Sequence, residues 1–172
     1  ATWVDSLEKL MSYPAEALLP GHTQPILGQE AVQEVLGGYR GAIESVLMQT
    51  LACIEQGLSE WETVEQVKLP PAYQNKPYLG EFYGTIQWSV RAIYNGYLGW
   101  FDGNPTNLER LPENVYSQKL LALIGSEDKV LTEIETALAE DEPQMALQLC
   151  DLLLTAGFSA AQASALKRQA ML

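Results

Sequence analysis

The sequence is poor in the residues that build disulfide and metal sites. Its 172 residues include one histidine, His22, and two cysteines, Cys53 and Cys150. Two cysteines so far apart do not make a disulfide framework or a CxxC pair. One histidine and two scattered cysteines cannot complete a structural zinc site or a typical self-contained catalytic one. Bases are also scarce, at 10 against 22 acids. The net charge of -12 excludes nucleic-acid binding through bulk charge.

Long hydrophobic runs and the common catalytic motifs are absent as well. No apolar stretch reaches the roughly 18 residues that a membrane-spanning helix needs. The sequence contains no GxSxG nucleophile elbow, no P-loop and no GxGxxG motif. What remains is a chain with 47% hydrophobic residues and a mean hydropathy of -0.06, long enough to bury a core of its own.

The spacing of apolar residues predicts an all-α fold. They recur at three- and four-residue steps from Gln29 to about Gly57 and from about Phe82 to Phe101, which is typical of amphipathic helices. Shorter helical segments joined by short loops complete an antiparallel helical bundle. These shorter helices are predicted over residues 5–11, 60–68, 112–124, 127–140, 144–156 and 160–172, with Ser59, Ser126 and Ser159 as N-caps.

The hairpin around residues 127–171 resembles a tetratricopeptide-type unit in its helix lengths and its placement of alanine and leucine. Seven acids and one lysine lie between Ser126 and Glu142, a charge pattern typical of a solvated helix face. One alternative interpretation of the chain is therefore a helical-repeat module that binds other proteins and has no enzymatic role.

A short apolar run near the N-terminus predicts a strand. Glu16 to Leu19 precede Pro20-Gly21, and no other segment offers a convincing pairing partner. A strand without a partner is not stable alone. We therefore interpret it as a remnant of a sheet whose other strands are not in this chain.

Three glycines interrupt the long helix that starts at Gln29. Gly37, Gly38 and Gly41 each cost roughly 1 kcal/mol relative to alanine in a helix interior. They indicate either a close backbone crossing by another helix or subunit, or a weak or kinked point in the helix.

A polar strip is the main candidate for a binding site. Tyr83, Gln87, Arg91 and Asn95 are spaced four residues apart in a segment rich in aromatic residues. A planar guanidinium beside aromatic rings suits a carboxylate or sulfate headgroup next to an apolar tail. The alternative is that Arg91 pairs with a nearby acid and the aromatic residues form core. His22 is either a ligand in a loop after a strand or an ordinary polar loop residue.

Two long strings carry a family resemblance. These are LLPGHTQPILGQEAVQEVLGGYRGAIESVLMQT and PYLGEFYGTIQWSVRAIYNGYLGWFDGNPTNL. Over about residues 16–108 they resemble the bacterial alkylsulfatases of the metallo-β-lactamase superfamily, and the part from Pro112 onward resembles their helical dimerisation region more loosely. The resemblance implies that residues 1–27 are the end of a catalytic domain and that residues 28–172 are a dimerisation domain.

The resemblance also implies a function. Enzymes of this family hydrolyse alkyl sulfate esters such as dodecyl sulfate, using two zinc ions that activate a water or hydroxide. His22 matches the metal-ligating histidine of the family's P-x-H-T string, and Tyr83, Arg91 and Asn95 are expected at the substrate entrance. The expected partners are a second copy of the chain, the remainder of the parent enzyme and an alkyl sulfate. Export from the cytoplasm, to the periplasm or medium, is frequent in this family.

The same resemblance makes this chain look like a fragment. The superfamily's HxHxDH run and its carboxylate ligands are absent from the sequence. We therefore expect no catalytic residue within it, no zinc pair held by it alone and no sulfatase activity of its own.

Overall fold

The computed structural model describes residues 2–171 and divides them into two compact units. The first unit extends to Asn104 and the second starts at Pro105. Both are built from helices, and the predicted all-α class is confirmed. None of the helices within residues 2–171 is long and apolar enough to cross a membrane.

The first unit is organised around one long helix. Helix α2 contacts α1 and α5, and α3 packs against α5. A small core joins α2, α3 and α5 through Val46, Cys53, Val64, Val67 and Val90, all of which are buried. The helices of this unit are α1 (Thr2–Met11), α2 (Gln29–Glu55), α3 (Glu60–Gln66), α4 (Pro71–Gln74) and α5 (Ile86–Leu98), with a 3-10 turn at Pro77–Leu79.

The N-terminal strand has a partner within this chain. Strand β1 (Ala17–Leu18) pairs antiparallel with β2 (Ile26–Leu27), so that Ala17 lies opposite Leu27. The prediction that no segment could pair with this strand is wrong. Strand β2 has only two residues between Pro25 and Gly28, too few to produce a recognisable alternating pattern. The domain boundary after residue 27 stays a prediction.

Two of the three glycines in α2 accommodate aromatic side chains. A Cβ atom at Gly38 would lie 2.8 Å from Cε2 of Tyr78, and one at Gly41 would lie 2.7 Å from Cζ of Tyr73. At Gly37 the nearest atom is Cε of Met11, at an ordinary 3.6 Å. Of the two alternatives that the sequence left open, a close approach is found at Gly38 and Gly41. The ring of Tyr78, from the 3-10 turn, makes it at Gly38, and the ring of Tyr73, from the short helix α4, makes it at Gly41.

The second unit surrounds one central helix. It contains α6 (Glu113–Ile124), α7 (Glu127–Ala139), α8 (Pro143–Ala156) and α9 (Ala160–Ala170), after a 3-10 turn at Pro105–Asn107. Helix α8 packs against the other three. Its buried Cys150 and Leu153 join Ile134 and other aliphatic residues in a continuous core. The helices lie close to their predicted positions.

The predicted N-caps are confirmed at two of the three serines. The hydroxyl of Ser59 accepts from the N–H of Glu62, whose carboxylate accepts from the N–H of Ser59, completing a capping box. Ser126 caps α7 by accepting from the N–H of Lys129. The prediction for Ser159 is wrong. Its backbone is left-handed, with φ of 45°, and its hydroxyl donates to the Glu127 carboxylate at 2.5 Å instead of capping α9.

Candidate functional site

The residue at which α5 begins determines which residues of the predicted polar strip lie on one face of the helix. The Thr85 hydroxyl accepts from the N–H of Trp88 at 3.1 Å, and the Glu81 carboxylate accepts from the N–H of Ile86 at 2.7 Å. These two contacts satisfy free N–H groups at the helix end and begin α5 at Ile86. Helix α5 is therefore shorter than the helix predicted from about Phe82 to Phe101. Tyr83 lies before its first residue and does not share a helix face with Gln87, Arg91 and Asn95.

Arg91 and Asn95 converge on one carboxylate. Nη1 of Arg91 forms an ion pair with Oε1 of Glu60, and Nδ2 of Asn95 donates to Oε2 of Glu60 at 2.7 Å. Both charged side chains are about three-quarters buried, with exposed fractions of 28% and 24%. Because the two carboxylate oxygens accept from different donors, the cluster ties the first turn of α3 to the middle of α5.

The guanidinium of Arg91 also lies over an aromatic ring. Its Cζ is 3.9 Å from the centre of the Trp61 ring, a cation–π arrangement. On the next turn of α5, the Tyr94 hydroxyl donates to the Leu58 carbonyl at 2.9 Å. Burial, followed by the charge of Glu60, raises the pKa of Tyr94. The pairing of Arg91 with an acid is the alternative that the sequence analysis left open, and Nη1 of this guanidinium is already engaged by Glu60.

The aromatic residues around α5 are exposed in this chain. Val90 is the buried residue of α5, whereas Trp88 and Trp100 are 63% and 73% exposed. The interpretation of the aromatic residues as core is therefore wrong for Trp88, Tyr97, Trp100 and Phe101, whereas Tyr94 is half-buried. The exposed aromatic residues in and around α5 are Phe82, Tyr83, Trp88, Tyr97, Trp100 and Phe101.

His22 and Tyr83 lie next to each other. His22 is exposed in the turn between β1 and β2, and its ring centre is 5.7 Å from that of Tyr83, with the planes tilted by 41°. The sequence placed these residues in separate motifs. Glu60 and Trp61, which complete the Arg91 cluster, were not predicted at all, since no local pattern links them to a residue so far along the chain.

The residues present do not by themselves form a metal centre. Within residues 2–171, no group of three or more histidine, cysteine, aspartate or glutamate side chains is arranged to hold a metal ion. The exposed imidazole of His22 fits the role of one donor among several. A zinc pair would therefore require ligands from outside the described part of the chain.

A profile of the family described as "Alkyl sulfatase dimerisation" matches residues 59–172. The chain belongs to the alkyl sulfatase dimerisation family. Membership of a dimerisation family supports assembly of this chain into a dimer or larger oligomer. A linear primary-alkylsulfatase of Pseudomonas sp. (strain ATCC 19151) is 45% identical over 148 residues, which are 86% of this chain and 28% of that protein. An (R)-specific secondary-alkylsulfatase of Pseudomonas sp. is 29% identical over 172 residues, or 99% of this chain and 26% of that protein.

A solved structure of this alkylsulfatase group has the same fold. The stereoselective inverting sec-alkylsulfatase Pisa1 from Pseudomonas sp. aligns with a TM-score of 0.86 and 31% identity, covering 98% of this chain and 27% of that one. The chain thus spans little more than a quarter of the length of these relatives. The resemblance to alkylsulfatases is confirmed, while the two zinc ions and the metallo-β-lactamase superfamily stay predictions.

Proposed function

We propose that this chain is the dimerisation region of a zinc-dependent alkylsulfatase that hydrolyses alkyl sulfate esters such as dodecyl sulfate. The observation that carries this proposal is the family match over residues 59–172. The 45% identity to a linear primary-alkylsulfatase supports it. The helical-repeat interaction module has no comparable support, because the hairpin around residues 127–171 on which it rested lies inside the family match.

The role of the chain in such an enzyme is to hold two copies together and to contribute to the site. Aromatic residues are enriched where one protein surface covers another. The exposed aromatic residues in and around α5 support such a role for the first unit.

The contribution to the metal site would be a single imidazole. His22 supplies one ligand, and the remainder of the enzyme supplies the others, so the chain alone does not turn over substrate. The zinc ions, when bound, supply an activated water or hydroxide for attack on the sulfate ester.

The substrate entrance is proposed near the same imidazole. Tyr83 contacts His22 and is exposed, so it is suited to line the approach to the metal site. Arg91 and Asn95 are oriented toward the Glu60 carboxylate. A sulfate headgroup has similar hydrogen-bonding chemistry, so these two residues would contact substrate by exchanging Glu60 for it.

The association state tests the first half of the proposal. Sedimentation equilibrium or light scattering of the chain at micromolar concentration is expected to give twice its mass of 19.0 kDa. A monomer that persists over a wide range of concentration would contradict the dimerisation role.

Activity measurements test the second half. The purified chain with added zinc is expected to leave dodecyl sulfate intact, whereas the full-length protein that contains it hydrolyses the ester and loses zinc and activity on His22→Ala. A matched control is Gln24→Ala, two residues along the same loop. Turnover by the chain alone, or full activity of the His22→Ala enzyme, would refute the assignment.

A further inference from the structure

The contact between His22 and Tyr83 joins two distant parts of the first unit. His22 lies in the turn of the β1–β2 hairpin, and Tyr83 lies in the segment that leads into α5. A separation of 5.7 Å between ring centres with a 41° tilt lies within the range that paired aromatic rings prefer. The described part of the chain provides no hydrogen bond to the imidazole of His22. The contact with the Tyr83 ring is therefore the interaction that can orient it.

On the tyrosine side of this contact, residues on either side of Tyr83 are hydrogen-bonded to the start of α5. Tyr83 lies two residues before the Thr85 cap, and the Glu81 carboxylate accepts from the first N–H of α5. The side chain of Tyr83 therefore starts from an anchored helix end. The imidazole, by contrast, starts from an exposed turn between two strands of two residues each.

We propose that Tyr83 is a positioning residue for His22: its ring holds the imidazole in one orientation, ready to bind the metal. This inference rests on the proposed function, in which His22 is a metal ligand. Groups that orient a ligating histidine are part of what sets metal affinity. In this case the orienting group is an aromatic face, so the phenyl ring, and not the hydroxyl, carries the effect.

Proton NMR of the chain tests the contact directly, because one histidine gives one set of imidazole signals. The matched variants are Tyr83→Phe, which keeps the ring, Tyr83→Leu, which removes it, and Tyr97→Leu, which removes an exposed tyrosine near the other end of α5. We expect a ring-current shift of His22 in the wild type and in Tyr83→Phe that disappears in Tyr83→Leu. Identical imidazole signals in all four proteins would overturn the proposal.

Metal retention in the full-length protein tests the consequence. In competition with a chelator, Tyr83→Leu is expected to weaken zinc binding by about tenfold, the lower end of the effect of outer-shell partners. Tyr83→Phe and Tyr97→Leu should retain wild-type affinity. If His22→Ala weakens zinc binding but Tyr83→Leu does not, the positioning role is wrong and the proposed function survives. If His22→Ala has no effect on zinc, both are wrong.

Discussion

The two units differ in the size of their largest core cluster. The second unit buries eleven residues in one core, almost all of them aliphatic or alanine. The corresponding cluster of the first unit has five buried residues, and its tryptophans are exposed. The second unit thus has the larger single core, whereas all four tryptophans of the chain are exposed residues of the first unit.

The second string that carries the family resemblance lies mostly in the first unit. The string from Pro77 to Leu108 is rich in tryptophan, tyrosine and phenylalanine, yet α5 within it has Val90 as its buried residue. Burial in the first unit's own core therefore does not account for the exposed aromatic residues of this segment.

The largest expected effect is in the second unit. Ile134→Ala removes a fully buried side chain from the larger core and should lower the free energy of unfolding by about 3 kcal/mol. All four tryptophans, Trp3, Trp61, Trp88 and Trp100, are in the first unit. In Ile134→Ala, the urea transition measured by circular dichroism should shift to lower urea than in wild type. The transition measured by tryptophan fluorescence should stay at the wild-type midpoint. Equal shifts of both signals would show that the two units unfold together.

A pair of neighbouring glycines tests the packing of the first unit. Gly38→Ala places a Cβ against the Tyr78 ring and should destabilise the chain by about 1 kcal/mol, net of the gain in helix propensity. Gly37→Ala meets only the end of Met11 at 3.6 Å and should stabilise by about 0.5 kcal/mol. Tryptophan fluorescence in urea measures both. The two substitutions must change the free energy of unfolding in opposite directions. A stabilising Gly38→Ala would mean that the Tyr78 ring moves away at no cost.

The ion-pair cluster should have an effect of similar or smaller size. Glu60→Gln removes the charge that pairs with Arg91. It also replaces one of the two accepting oxygens with an NH2 group, which cannot accept from Arg91 or Asn95. We expect a loss of about 1 kcal/mol. The matched control is Glu34→Gln, which removes the charge from the more exposed pair with Lys76 and should cost clearly less. Equal losses would indicate that burial of the Arg91 cluster adds nothing.

The smallest effect concerns the capping box of α3. Hydrogen bonds from the Ser59 hydroxyl and then the Ser59 N–H lower the pKa of Glu62 below its usual 4.5. A lowered folded-state pKa stabilises the fold above the unfolded pKa, and this contribution is lost as pH falls through the folded value. Glu62→Gln should therefore melt earlier than wild type at neutral pH but not in acid. Glu65→Gln, on the same helix, controls for charge, and a constant difference at all pH values would contradict the mechanism.

The sequence predicted best what is determined locally. The capping box at Ser59 and the cap at Ser126 follow from residues three positions apart. The helix positions follow from apolar spacing in the same way. The cap at Ser159 failed because its hydroxyl binds Glu127, a partner from an earlier helix that no local pattern reveals.

The candidate site was less predictable, since its contacts are long-range. Arg91 and Asn95 were chosen for their spacing, but their partner Glu60 belongs to another helix. Tyr83 and His22 were chosen for unrelated reasons and proved to be neighbours. Spacing along a helix identifies residues that share a face, but it cannot identify what the face meets.

The excess of acids has a consequence for how an anionic detergent could be captured. Even if every base offsets one acid, twelve negative charges remain on the chain. Their field repels an anion that comes within a screening length of the surface, about 8 Å at physiological ionic strength, and is screened beyond that distance. For the proposed alkyl sulfate substrate, binding of the headgroup would therefore depend on short-range contacts, and added salt should speed its encounter with this surface, the reverse of electrostatic steering.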